Sequence, residues 1–240
     1  MKKKKFCKVF ITCCTTMMLV TTVFAQSDQF EVINQINTSI DNISDFAFNE
    51  KKFIISSNDK LIYLAMDGKV LKEEINKNIH GISFGNNKQL CLLYENGDIK
   101  RLDKSKVVNV TNIRSDKNLN ISARYLSLTD SGYISYIKEG WSSRISYFNS
   151  QGKEIMSAFS PGIGKVSGLT FVNGSIWIIS DLGKNKKSIL RKYKLTSDNI
   201  VEEKVNEIPV KAAKGLTIDE NNIFYTFSEQ SKNIVKFKIK

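Results

Sequence analysis

Few residues in this chain of 240 have side chains suited to making or breaking bonds, and their spacing excludes most ways of doing so. His80 is the only histidine, so a nucleophile–imidazole–carboxylate arrangement would have to be built around that residue alone. Ser167-Gly168 lacks the Gly-x-Ser-x-Gly frame that presents a nucleophilic serine at a strand–helix turn. In Gly162-Ile163-Gly164-Lys165 the glycine spacing is wrong for a phosphate loop, and an apolar strand follows where a helix is needed, so the segment reads as a connection. The four cysteines are scattered and one histidine cannot complement them, which excludes a zinc framework and a disulfide scaffold. What remains is a set of isolated polar and cationic residues whose meaning depends on the elements that carry them.

Those elements repeat. A three-residue alternating unit recurs at Phe46-Ala47-Phe48, Ile82-Ser83-Phe84, Leu126-Ser127-Leu128, Leu169-Thr170-Phe171 and Leu216-Thr217-Ile218, at intervals of 36, 44, 43 and 47 residues. After each comes a polar turn, then an apolar run such as Phe53-Ile54-Ile55 or Ile176-Trp177-Ile178-Ile179. A more amphipathic run follows, such as Leu61-Ile62-Tyr63-Leu64, and then a polar one, such as Val70 to Ile79 or Val201 to Val210. Four strands graded from apolar to polar at this period predict an all-β propeller, its inner strands packed on both faces and its outer strand wet. Pro209 in an outer strand agrees, because only an edge strand tolerates a missing N–H. The last unit ends after its third strand, while Phe30-Glu31-Val32-Ile33-Asn34-Gln35-Ile36 has the character of the missing fourth. The spacing therefore predicts five four-stranded blades, the ring closed by the N-terminal strand so that no free edge is left. The six-bladed alternative would need a blade within 26–45, which is too short.

Residues 1–25 read as a secretory signal. Lys2, Lys3, Lys4, Lys5 and Lys8 precede a charge-free stretch that ends in Val23-Phe24-Ala25, with small residues where signal peptidase requires them. The expected product is a single propeller domain over 26–240, exported to the periplasm or the cell exterior, with no transmembrane segment after cleavage. Five of the 36 basic residues and none of the 24 acidic ones lie in the signal, so the remainder carries 31 against 24, a net of +7. Cys91 is then the one thiol left, inside an apolar run where an inert buried side chain is expected.

The last unit runs from Gly215-Leu216-Thr217-Ile218-Asp219 through Asn222-Ile223-Phe224-Tyr225 to Asn233-Ile234-Val235-Lys236-Phe237, and it resembles an NHL-type propeller repeat. It departs from that pattern at Ile234, where such repeats usually carry arginine. Gly168-Leu169-Thr170-Phe171 is similar to the same broad group, which includes gluconolactonase-like and streptogramin-lyase-like propellers. The resemblance implies a ligand face where the loops entering the innermost strands line the channel. Alignment of the units puts Ser44, His80, Arg124, Ser167 and Lys214 two places before the inner strand, and Asp45, Gly81, Tyr125, Gly168 and Gly215 one place before it.

This mostly cationic ring is expected to bind an anionic or polyhydroxylated small molecule, a glycan or a protein partner, without a cofactor. Trp141 beside Arg144, in a loop expected on the same face, could stack on a sugar or anchor a partner. The lysines of 184–187 lack interleaved aromatics, so nucleic acid is not favoured. The alternative implied by the resemblance is a metal-dependent lactonase-like hydrolase or a lyase. A divalent metal would then need Asp45 together with loop carboxylates such as Asp59, Glu95, Asp181 and Glu229.

Overall fold

A computed structural model describes residues 30–49, 51–85, 88–103, 106–113, 121–139, 142–159, 165–183 and 185–240. The expected signal at 1–25, Trp141 and the glycines of Gly162-Ile163-Gly164 lie outside them. The described residues form five four-stranded antiparallel sheets with no helix, and so none long and apolar enough to cross a membrane. Blade 1 is β2 (Ile43–Phe48), β3 (Lys52–Ser57), β4 (Lys60–Ala65) and β5 (Val70–Ile75). Blade 2 is β6 (Ile79–Phe84), β7 (Leu90–Tyr94), β8 (Asp98–Asp103) and β9 (Lys106–Asn112). Blade 3 is β10 (Ile121–Leu128), β11 (Gly132–Glu139), β12 (Ser142–Asn149) and β13 (Glu154–Phe159). Blade 4 is β14 (Lys165–Val172), β15 (Ser175–Asp181), β16 (Lys187–Leu195) and β17 (Ile200–Lys211). Blade 5 is β18 (Ala213–Ile218), β19 (Phe224–Ser228), β20 (Asn233–Ile239) and, closing the ring, β1 (Phe30–Asn37).

The closure is the one the sequence predicts: Phe30 lies opposite Ile239, and Ile36 opposite Ile234. Turn chemistry sets the hairpins. Asn173-Gly174 joins β14 to β15 with φ of 50° and 73°, the two left-handed residues a tight hairpin needs to match strand twist. Pro209 sits exposed in β17, the outermost strand of its blade.

Each seam between blades holds one apolar cluster, because successive side chains of the inner strands point alternately at the two neighbouring blades. In blade 1, Ile54 faces blade 2 while Phe53 and Ile55 face blade 5. The closing seam buries Phe46, Phe53, Tyr225 and Phe227, and Ile36 of β1 joins them. Each such side chain contributes about 2–3 kcal/mol by leaving water. Cys91 is buried in the seam between blades 2 and 3, where desolvation pushes its thiol up to about 11. That suits packing better than reactivity.

Candidate functional site

The inner strands begin at one end of the channel, and all five are irregular there. The pairing register slips between Ile43 and Asp45, Ile79 and Gly81, Arg124 and Leu126, Val166 and Gly168, and Lys214 and Thr217. A bulge leaves a residue unpaired and re-aims its side chain, a device found beside binding sites. Here the irregularities fall on or beside Ser44, His80, Tyr125, Ser167 and Gly215. Tyr125 takes a left-handed φ of 57°, unusual for an aromatic residue.

Ser44, His80, Arg124, Tyr125 and Lys214, drawn from four blades, line one cavity of about 280 Å³ at this end, together with Ile43 and Lys165. Lys165 is the residue that sequence alignment missed. It lies in the segment read as a mere connection, but in the structure it begins β14, opposite Asp181. The hint was a lysine only two places before Ser167.

The electrostatics of the mouth are unbalanced. Lys214 Nζ lies 3.8 Å from both Asp181 and Glu229, so the two carboxylates share one ammonium. Lys165 is held below its ordinary value, first by the charge of Lys214, then by desolvation and by Arg124. Arg124 is half-buried, and its Nε makes no hydrogen bond among the described residues. His80 Nδ1 lies 3.4 Å from the Ala123 carbonyl oxygen, which turns the ring toward the third blade.

Two of the aligned residues sit beneath this surface. Asp45 is 1% exposed, and its two oxygens accept backbone N–H bonds from Phe46 and Ile82, both at 3.0 Å. It therefore ties blade 1 to blade 2 instead of facing the cations. Burial raises its pKa well above the usual carboxylate range, against the pull of those two N–H groups. Ser167 is fully buried, its hydroxyl 3.5 Å from the Ile179 carbonyl. Tyr125 is buried too and donates to the Val166 carbonyl at 3.1 Å, bridging blades 3 and 4. Arg144 stands on β12, away from the cavity, with Nε and Nη2 at 3.2 and 3.1 Å from the Glu154 carboxylate on β13. Of the four loop carboxylates, Asp181 and Glu229 meet at Lys214. Asp59 accepts from the Asn78 backbone N–H at 3.2 Å. Among the described residues no group of three His, Cys, Asp or Glu side chains is placed to hold a metal ion.

No family model and no curated protein matches the sequence. Solved structures do match in fold. Glutaminyl cyclase from Myxococcus xanthus superposes with a TM-score of 0.66 at 10% identity, covering 88% of this chain and 96% of that one. The PQQ-bound aldose sugar dehydrogenase of Streptomyces coelicolor gives 0.57 at 9% identity, with 88% and 98% covered. A gluconolactonase from Xanthomonas campestris gives 0.54 at 11%, with 89% and 78% covered. The resemblance to gluconolactonase-like propellers is thus present in three dimensions, and at these identities it is a likeness of fold alone.

Proposed function

We propose that the protein is an exported binding module whose channel mouth takes up a small organic anion, a carboxylate- or phosphate-bearing and polyhydroxylated molecule of sugar-acid size. The observation that carries this reading is the convergence of Arg124, Lys165 and Lys214 on one cavity, three cations against the two nearby carboxylates, Asp181 and Glu229, which meet at Lys214. The charge of Lys214 holds down the proton affinity of Lys165, and an anion bound between the two would offset that repulsion. The exposed Ser44 hydroxyl and the His80 ring supply further hydrogen-bonding groups at the rim. The volume of about 280 Å³ lies at the lower end of the range for small-ligand sites, which favours a compact ligand over a polymer. The lactonase-like alternative has the shared fold behind it, and the three cations that meet at the mouth favour anion binding over it.

The test is a titration with gluconate, citrate and inorganic phosphate, followed by calorimetry. Saturable binding that weakens with added salt is expected, since the cations are only partly shielded. Replacing both Arg124 and Lys214 by alanine should lower affinity by at least tenfold, each lost charge-assisted contact contributing about 1.5–3 kcal/mol. If the double variant binds these anions as the parent does, the mouth is not the site.

A further inference from the structure

A second cavity, of about 460 Å³, opens between blades 1 and 2 at the opposite end of the ring from the cationic mouth. Its floor and walls are apolar: Ile54, Leu90, Leu102, Phe84 and the ring of Tyr63, with Leu71 of the outer strand 58% exposed at its edge. A leucine left that wet on β5, beside a concave apolar wall, is poorly accounted for by folding alone. Lys52, Lys72 and Lys88 also line the cleft, against one carboxylate among the described residues, Glu74. Glu74 is already engaged, by the Lys72 ammonium and by the Tyr63 hydroxyl at 3.1 Å. Lys52 Nζ lies over the face of the Tyr63 ring, 4.8 Å from its centre.

Other seams show what fills this space when it is not left open. Ile54 on β3 and Leu90 on β7 correspond to Trp177 and Phe224 at the seam of blades 4 and 5, where the rings meet edge-on at 5.0 Å. They correspond to Tyr225 and Phe53 at the closing seam, where the ring centres are 5.6 Å apart. In both cases a lysine from the third strand, Lys192 or Lys236, caps the aromatic ring. At the seam of blades 1 and 2 the arrangement is reversed. The aromatic ring, Tyr63, is on the third strand, opposite Ile54, and its lysines come from the second and fourth, Lys52 and Lys72. The smaller aliphatic pair leaves a cleft where those two seams have packed rings; at the seam of blades 3 and 4 the pair is also aliphatic, Ile134 and Ile176, but Tyr193 and Met156 stand where Leu102 and Lys72 do and pack into that cluster.

From this contrast we infer that the cleft between blades 1 and 2 is a binding site for an amphipathic organic anion. An apolar body, a ring or short alkyl chain, lies on Ile54, Leu90 and Leu102, and a carboxylate head is held by Lys52 at the rim. The size falls within the usual range for small-ligand pockets, and the excess of lysine selects the sign of the head group. The site is separate from the channel mouth and does not depend on what binds there.

The probe is 8-anilinonaphthalene-1-sulfonate, an aromatic anion that fluoresces when its body leaves water, displaced by decanoate or by decan-1-ol. Saturable binding is expected, with decanoate displacing the probe and decanol at least tenfold weaker. Ile54→Trp imports the residue found at the equivalent place in blade 4 and should lower probe affinity at least tenfold while the thermal midpoint stays near that of the parent. Lys52→Glu, a surface change that leaves the core intact, should do the same and keeps the test open if the tryptophan does not fit. The double replacement of Arg124 and Lys214 should leave probe binding unchanged. Parent-like binding in Lys52→Glu or in a folded Ile54→Trp, equal displacement by decanol, or loss of binding in the mouth variant would each overturn the inference.

Discussion

The two ends of the channel are built from the same five strands and could hardly be more different. At the far end the repeated three-residue units of all five blades line a cavity of about 150 Å³, and the same contact recurs from blade to blade. Ser83 Oγ accepts from the Leu128 N–H at 3.3 Å, and Ser127 Oγ accepts from the Phe171 N–H at 2.8 Å, each reaching from one inner strand to the next. At the mouth the equivalent positions diverge into serine, histidine, arginine and lysine, and the strands are bulged. Uniform residues at equivalent places answer to a shared structural demand. Residues that differ there, carry charge and are only partly paired answer to something outside the ring. The ends therefore separate support from recognition, and Asp45 marks the boundary, at the mouth in sequence but a blade-to-blade tie in space.

That contrast can be broken or sharpened by substitution. The largest effect is expected at Gly168, where an added Cβ would lie 2.5 Å from the Gly215 carbonyl carbon. Backbone meets backbone there, so Gly168→Ala should cost about 3 kcal/mol in urea unfolding. Asp45→Ala leaves the Phe46 and Ile82 N–H groups without their carboxylate and should cost about 2 kcal/mol, the relieved burial of the acid offsetting part of the loss. The same variant has a pH signature. The native state holds the Asp45 proton at pH values where the unfolded chain has released it. Its contribution to stability is thus fully present below the ordinary carboxylate range and is lost as pH rises through the raised native value. Asp45→Ala should erase that portion of the parent's pH dependence, and an unchanged profile would mean that the acid is not buried as described.

Ser127→Ala, at the far end, should cost about 1 kcal/mol by orphaning the Phe171 N–H. Arg124→Ala, at the mouth, should stay within about 0.5 kcal/mol of the parent in stability, its buried Nε having no hydrogen-bond partner to lose. The smallest effect is spectroscopic. Because Lys214 is the first cause of the depressed Lys165, Lys214→Ala should move the Lys165 titration upward, toward the ordinary lysine value, in an NMR titration of labelled lysines. No movement would dissolve the cationic cluster as a physical unit.

Much of the fold was legible because propeller strands announce themselves locally. Phe53-Ile54-Ile55 and Ile176-Trp177-Ile178-Ile179 are buried on both faces and so read as continuous apolar runs, while the wet outer strand carries Pro209 and the charges. The candidate site was legible only in part. Alignment assembled Ser44, His80, Arg124, Tyr125 and Lys214 because equivalent places in a ring are close in space. It missed Lys165, because a bulge and a strand beginning earlier than expected brought a residue outside the alignment into the cavity. It also grouped the buried Asp45 and Ser167 with the residues that line the cavity, since sequence position does not say which side of a bulged strand faces it. The cleft between blades 1 and 2 was not visible at all.

The order and number of the strands, the register of their apolar faces and the closure of the ring by Phe30–Asn37 follow from the chain's own periodicity, because each is dictated by neighbours along the chain and by the need to leave no bare edge. Which charges face one another across the mouth, and which seam stays open, depends on residues far apart in sequence whose side chains compete for one volume and one field. Only the closed ring settles that competition.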